Sequence, residues 1–536
     1  MTSRIRWFVL LACLGATWAL SLLQARADVS LHSLFSDHMV LQRGVRTPIW
    51  GWADEGEKVT VEFRGQKKTT RTSEGRWMVT LSAMDAGGPD ELKVSGKNRL
   101  IVRDVLVGEV WIASGQSNME WPVRLAFEPA AEIQAADNPH LCLFTVLKWK
   151  ASEPIKTIES SWQECGPSSV SNFSAVAYHF GNYLQRALEV PVGMIHTSWG
   201  GSPAEVWIRE AVLSQDREYR HDILDAFGAE QRKFSEAVAQ FEREEGEAKR
   251  EGKPFNKQRP TLGWKPSELY NGMIAPLLPY AIKGAIWYQG ESNAGRAYQY
   301  RRLFVDMIRN WRKDWGQGDF PFLLVQLAPF MAIKEQPAES SWAELREAQT
   351  MATTALPKVG MAVITDYGDP KDIHPIWKKP VGYRLALAAR GIAYEEKIVY
   401  SGPLYRSMKI KGDQAFLSFD SIGEGLFGGV FANRPPPESG LTYDVEMARL
   451  KAPLQGFAIA GEDRKFVWAN ANIQDDKVVV NSPAVAKPVA VRYGWADCPV
   501  VNLYCSPAAG APPLPASPFR TDDWPMTTAP GAAAKK

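Results

Sequence analysis

A mostly apolar run from Val105 to Ala113 stops abruptly at Ser114-Gly-Gln-Ser-Asn-Met119. Such a run, bounded by turn residues, reads as a strand buried on both faces, the kind found in parallel sheets covered by helices. The small polar segment after it lifts Ser117 off the carboxyl end of the strand, which is where open α/β sheets place their chemistry. Three later segments repeat the design. Val192 to Thr197 runs into the turn Trp199-Gly200-Gly201-Ser202. Ala285 to Tyr288 runs into Gln289-Gly-Glu-Ser-Asn293, ahead of a helical pattern from about 297 to 315. Met361 to Thr365 runs into a polar loop carrying Asp366, Asp369, Asp372 and His374, followed by a helical pattern from about 379 to 394. Alternation of strand and helix predicts an α/β core with a parallel sheet.

The residues at these turns suit acyl transfer. A serine hydroxyl is a weak nucleophile and needs a base, usually histidine, itself oriented by an acid. Of seven histidines, only His374 sits in a loop after a strand with carboxylates beside it. His196 falls within a strand-like run and His179 within an apolar helical stretch, so both are expected to be packed. Paired glycines allow close backbone approach, and exposed N–H groups there, at Gly200 or Gly201, can donate to an oxyanion. Side-chain amides of Gln289 or Asn293 can do the same, although Ser292 or Asn293 can equally cap the following helix.

In this order, Gly-Gln-Ser-Asn-Met, Trp-Gly-Gly-Ser-Pro, Trp-Tyr-Gln-Gly-Glu-Ser-Asn and Asp-Ile-His-Pro resemble the blocks of SGNH hydrolases. The closest branch is the sialate O-acetylesterase type, which includes bacterial acetylesterases of plant polysaccharides such as xyloglucan. The resemblance spans roughly residues 30–525. It implies a flavodoxin-like parallel sheet with flanking β-sandwich domains and no cofactor. It also implies Ser117 as nucleophile, His374 as base, and oxyanion donors at Ser117 N–H, at Gly200 or Gly201, and at Asn293 or Gln289. Many members space acid and base as Asp-x-x-His, whereas one residue separates Asp372 from His374 here. Asp372 is the expected acid. Asp369 and a backbone carbonyl are the alternatives.

Composition limits the other function classes. A net charge of +2 gives no reason to expect nucleic acid or an anionic membrane as partner. No H-E-x-x-H, paired C-x-x-C or Walker A motif is present, so no metal or nucleotide site is expected. Arg4 and Arg6 precede an apolar segment, Trp7 to Leu23, and then Ala25-Arg26-Ala27. This is the pattern of a cleavable signal peptide over 1–27, giving a secreted or periplasmic protein with no lasting membrane insertion, with an uncleaved membrane anchor as the alternative that the Ala-x-Ala site disfavours. The four cysteines beyond it, Cys142, Cys165, Cys498 and Cys505, are then disulfide candidates. Proximity favours Cys142–Cys165 and Cys498–Cys505, with buried thiols as the alternative. Most of the twenty tryptophans are expected in the core.

The expected organisation is a β-sandwich over 28–104, the α/β catalytic domain over 105–395, a second sandwich over 396–525 and a disordered tail over 526–536. Within the catalytic domain, about 209–262 is charged and helix-like, a solvated surface excursion or a lid. The resulting expectation is a secreted serine esterase that removes O-acetyl groups from carbohydrate, most simply a hemicellulose. The alternative substrate is O-acetylated sialic acid, whose carboxylate needs a cation such as Arg296, Arg301 or Lys378. A non-catalytic carbohydrate-binding protein, and a lipase or thioesterase, are the competing classes. The oligomeric state is open.

Overall fold

The computed structural model describes residues 28–429, 453–508 and 511–531. The expected signal peptide lies outside these residues. The central sheet is built from seven strands: β1 (Arg99–Gly115), β2 (Asn138–Thr145), β3 (Trp162–Cys165), β4 (Val192–Ser198), β5 (Gly284–Tyr288), β6 (Phe322–Val325) and β7 (Val359–Ala362). Their spatial order is β3-β2-β4-β1-β5-β6-β7. Only β3 runs antiparallel to its neighbour; the other pairs are parallel. The chain leaves β1 to one side, returns as β4, and then crosses to β5 on the other side. The crevice outside the carboxyl end of β1 is therefore a topological switch point, where open sheets bind ligands.

Side chains alternate across the sheet. Trp111 and Ala113 face one apolar cluster, shared with α2 (Ala175–Leu188) and α6 (Lys378–Ala393). Val110 and Ile112 face the other, shared with α4 (Ala297–Trp315) and α5 (Ser341–Ala355). Both faces are thus covered, which is why the parallel strands read as continuous apolar runs. Trp111, Trp207, Trp287 and Trp311 are fully buried there.

β1 is seventeen residues long and does two jobs. Its first half pairs with the strand Gly87–Ser95 and with Val40–Gln42 of the N-terminal β region. Its second half pairs with β4 and β5. Residues 104 and 105 therefore sit inside one uninterrupted strand, and the N-terminal region shares a sheet with the core. The alternating segments Val59–Phe63 and Trp77–Leu81 are strands with alternate residues buried. Beyond α6 the chain returns to β structure in three small sheets. The fully buried Arg346 joins this part to the core, donating to the carbonyls of Leu327, Ala328, Ala496 and Asp497 at 2.7 to 3.1 Å.

The charged excursion contains α3 (Ala226–Arg250), in which only Phe241 is buried. The chain returns along this helix, with Phe255 edge-on to Phe241 at 5.1 Å and Lys257 bonded to Glu244 at 2.6 Å.

Two expectations are corrected. Cys142, Cys165, Cys498 and Cys505 are buried thiols, and the disulfides Cys142–Cys165 and Cys498–Cys505 are not formed. Cys142 and Cys165 lie on neighbouring strands, but Cys142 packs into the cluster on one face of the sheet and Cys165 into the cluster on the other. Their side chains point apart, which a disulfide does not tolerate. Of the tail expected to be disordered over 526–536, the described residues 526–531 are packed. Met526 packs with Trp495 and Ala343, and the hydroxyls and N–H groups of Thr527 and Thr528 donate to the buried Glu344 carboxylate. That carboxylate, unpaired, would be costly to bury.

Candidate active site

Register brings the site together. Gly115 of β1 sits level with Ser198 of β4 and Tyr288 of β5, so the turns after all three strands emerge at one edge. Gly115 adopts φ +138°, and a Cβ there would lie 2.1 Å from the Tyr288 carbonyl oxygen. Only glycine lets β1 end so close to β5. The next residue donates its N–H to the same carbonyl at 3.0 Å. Ser117 then opens α1 (Ser117–Glu120), a single turn. The first N–H groups of a helix have no intrahelical partner, so the Ser117 N–H is a candidate oxyanion donor. Ser174, the N-cap of α2, locks this turn by donating from its hydroxyl to the Met119 carbonyl at 2.6 Å.

The loop after β7 delivers His374, the candidate base. His374 Nε2 lies 2.9 Å from Ser117 Oγ. The imidazole is stacked on Trp121, with centroids 4.9 Å apart and 17° between planes. Asp372 Oδ1 accepts the His374 backbone N–H at 2.8 Å. Its distance to Nδ1 is 3.6 Å, with 56% of the Asp372 side chain exposed. The carboxylate thus holds the loop and contributes a charge, without a hydrogen bond to the ring. Asp369 Oδ1 accepts the Lys371 N–H at 2.7 Å, within its own loop. Asp366 forms a bidentate pair with Arg384, both contacts 2.6 Å, away from the imidazole. Burial, aided by the Lys378 charge, lowers the His374 pKa below its usual value, against the pull of Asp372. A depressed pKa keeps the base neutral at physiological pH. His179 and His196 are both buried, which holds their pKa values at about 3 and about 4.

The expected oxyanion donors are placed less uniformly. A Cβ on Gly200 would sit 3.2 Å from Ser117 Cβ, so the glycine turn abuts the nucleophile. The Gly200 N–H, however, donates to Glu120 Oε2 at 2.6 Å, and Glu120 is paired with Lys148 at 2.5 Å. Gly201 has the positive φ, +74°, that the turn requires. Asn293 and Gln289 turn inward. Asn293 Oδ1 accepts from the Ala204 N–H and from Gln289 Nε2, and Asn293 Nδ2 donates to Glu205. Gln289 Oε1 accepts from the Tyr300 hydroxyl at 3.0 Å. These amides tie β5 to the glycine turn and are not directed at Ser117.

One buried group was not expected at this place. Lys378 Nζ donates to Asn118 Oδ1 at 2.5 Å, and Asn118 Nδ2 donates to Glu291 Oε1 at 2.7 Å and to the Ile373 carbonyl at 3.0 Å. Asn118 thus links the nucleophile turn, the base loop and the third block. Lys378 is 1% exposed, and burial brings its pKa down to about 7, while burial raises that of Glu291. A lysine as first residue of a helix is electrostatically unfavourable, and that anomaly was visible in the sequence. Neither Glu120 on the Gly200 N–H nor the Asn118 link left a comparable local signal. Among the described residues, no group of three or more His, Cys, Asp or Glu side chains is placed to hold a metal ion, and no helix is long and apolar enough to cross a membrane.

The family model "Carbohydrate esterase, sialic acid-specific acetylesterase" matches residues 107–243 and 259–375, which include Ser117, Gly200 and His374. Sialate O-acetylesterase of Mus musculus is 31% identical, over 91% of this chain and 93% of the mouse protein. That of Rattus norvegicus is 30% identical over the same shares. A crystal structure of a carbohydrate acetylesterase from Xanthomonas citri is 39% identical, with a TM-score of 0.76, covering 93% of this chain and 100% of that one. On these likenesses, which run through nearly the whole length, the chain belongs to the sialic acid-specific acetylesterase family of carbohydrate esterases and is a carboxylic ester hydrolase.

Proposed function

We propose that this protein is an exported SGNH-type serine esterase that removes O-acetyl groups from a neutral plant cell-wall polysaccharide, a hemicellulose such as xyloglucan. The observation that carries the chemistry is the 2.9 Å contact between Ser117 Oγ and His374 Nε2 at the carboxyl edge of a parallel sheet. Ser117 Oγ attacks the acetyl carbonyl carbon while His374 takes the hydroxyl proton. The Ser117 N–H and the Gly201 N–H, the one turn donor not given to Glu120 or to the Gly115 carbonyl, stabilise the tetrahedral oxyanion, each donor being worth about 3–4 kcal/mol of barrier. His374 then gives its proton to the sugar oxygen as the C–O bond to the acyl carbon breaks. Water, activated by the same imidazole, releases acetate. In this reading the core over 105–395 carries the reaction, with β-sandwich domains over 28–104 and 396–525 flanking it. Export rests on the signal-peptide pattern of residues 1–27.

The preference for a neutral sugar is supported by the cations. Arg296 is paired with Glu205, Arg301 with Glu347, and Lys378 is buried against Asn118. None of these three is held ready for a sialic acid carboxylate. Half-buried aromatic surface stands beside the nucleophile instead: Trp121 on His374, and Trp199 edge-on to Trp264 at 5.4 Å. The second reading, a sialate O-acetylesterase, is favoured by the mouse and rat relatives, which carry that name. Acetate release from acetylated xyloglucan and from O-acetylated sialic acid, by wild type and Ser117→Ala, separates the two. Release from xyloglucan alone, abolished in Ser117→Ala, is the expected result. Release from the sialic acid alone overturns the substrate assignment. Release that survives in Ser117→Ala overturns the mechanism.

A further inference from the structure

Away from Ser117, the segment 333–339 lies against the C-terminal strands Phe457–Ala460, Val467–Trp468 and Ala490–Tyr493, leaving a groove in two connected parts. The larger part, about 360 Å³, is lined by Ile333, Lys334, Gln336, Trp468 and Val500 among others. The smaller, about 200 Å³, is lined by Glu339, Arg464, Phe466, Arg492 and Trp495, with Trp468 common to both. Three of the eleven large apolar side chains exposed among the described residues line this groove: Ile333, Trp468 and Val500, at 55%, 43% and 50%. Such clustering marks a binding surface more often than chance exposure.

The indole of Trp468 is not loose. Its Nε1–H donates to the Glu335 carbonyl at 2.7 Å, which orients the ring at the junction of the two parts. Of the three lining cations, two are paired with carboxylates, while Arg464 lies over the Trp524 ring at 5.3 Å. Lys334 lies 3.1 Å from Asp497, and Arg492 is held by Asp522 and Glu339 at 2.8 to 3.0 Å. Arg492 also lies over Phe466 at 4.3 Å. The surface is therefore aromatic and rich in fixed donors and acceptors, with most of its charge neutralised in place. A pyranose ring has a matching form, with an apolar face of C–H groups and a rim of hydroxyls that both donate and accept. With Lys334 and Arg492 held by carboxylates the groove does not concentrate positive charge, and an oriented indole loses little entropy when a ring stacks on it.

We infer that the Trp468 groove is a second, non-catalytic binding site for a neutral glycan chain. It rests on the reading of the protein as an esterase of polysaccharide, and would hold a polymer while Ser117 works on its acetyl groups. The test uses the full-length chain carrying Ser117→Ala, with and without Trp468→Ala and with Trp468→Phe, in affinity electrophoresis through gels containing deacetylated xyloglucan or xylan. The Ser117→Ala protein is expected to be retarded by at least one polysaccharide. Adding Trp468→Ala should weaken that binding at least tenfold, and Trp468→Phe should keep most of it. In the active background, Trp468→Ala should hydrolyse an aryl acetate at the wild-type rate. Equal retardation of the Trp468 variants, or no retardation by either polysaccharide, overturns the proposal. So does a loss of aryl acetate hydrolysis as large as the loss of binding, since the groove would then belong to the catalytic unit. Retardation without acetate release from the acetylated polymer would keep the groove and sink the substrate assignment.

Discussion

Replacing Asp372 by asparagine tests how His374 is held. Where a buried acid hydrogen-bonds the catalytic imidazole, the amide replacement lowers kcat by about 10⁴. Here the carboxylate lies 3.6 Å from Nδ1 and is more than half exposed. In a water-like dielectric that separation leaves about 1 kcal/mol of attraction for the imidazolium formed during the reaction. This amount corresponds to roughly a fivefold change in rate. Asparagine can still accept the His374 backbone N–H, which the aspartate binds at 2.8 Å, so the loop should stay in place. We therefore expect Asp372→Asn to lower kcat/KM on an aryl acetate about fivefold. Loss of a negative charge disfavours the imidazolium, so the acid limb of the pH profile should move down. Both are read from initial rates between pH 4 and 9. A loss of 10³ or more would refute the reasoning, because the carboxylate would then have to close onto Nδ1 in the reacting complex.

Other consequences are equally direct. The depressed His374 pKa places the acid limb of kcat/KM below the usual imidazole value, and Lys378→Met, which removes a neighbouring positive charge, should move that limb up; an unmoved or lower limb would contradict the electrostatic account. Arg346→Leu removes the guanidinium that serves four backbone carbonyls between core and C-terminal strands, and should cost about 3 kcal/mol or more, seen as a lowered melting temperature. A chain starting at Asp28 and denatured without reductant should take up four iodoacetamide groups, whereas the native protein should react slowly, because burial raises the Cys142, Cys165 and Cys505 thiols. Uptake of two groups or none would restore the disulfides.

Much of the architecture was legible because local patterns dictate it. The runs before Ser117, Trp199, Gln289 and Asp366 are mostly apolar without alternation, as strands covered on both faces require. Turn residues at their ends marked the catalytic edge, and the scarcity of histidine singled out His374. Side-chain direction after a turn was not legible. Asn293 and Gln289 stand at the right place in the chain, yet they spend their hydrogen bonds on Glu205, Ala204 and Tyr300. Nor did spacing reveal that Asp372 would stop at 3.6 Å from the ring.

By itself the sequence determined the strand-and-turn elements and singled out the candidate nucleophile and base, because each follows from periodicity or from a rare residue type in a recognisable local setting. Tertiary structure alone decided that Cys142 and Cys165 face opposite sides of one sheet, that Glu120 covers the Gly200 N–H, and that Lys378, Asn118 and Glu291 meet behind Ser117. These contacts join residues up to 260 positions apart. They depend on strand register and on which loop a turn faces, and neither quantity is encoded within any single stretch of chain.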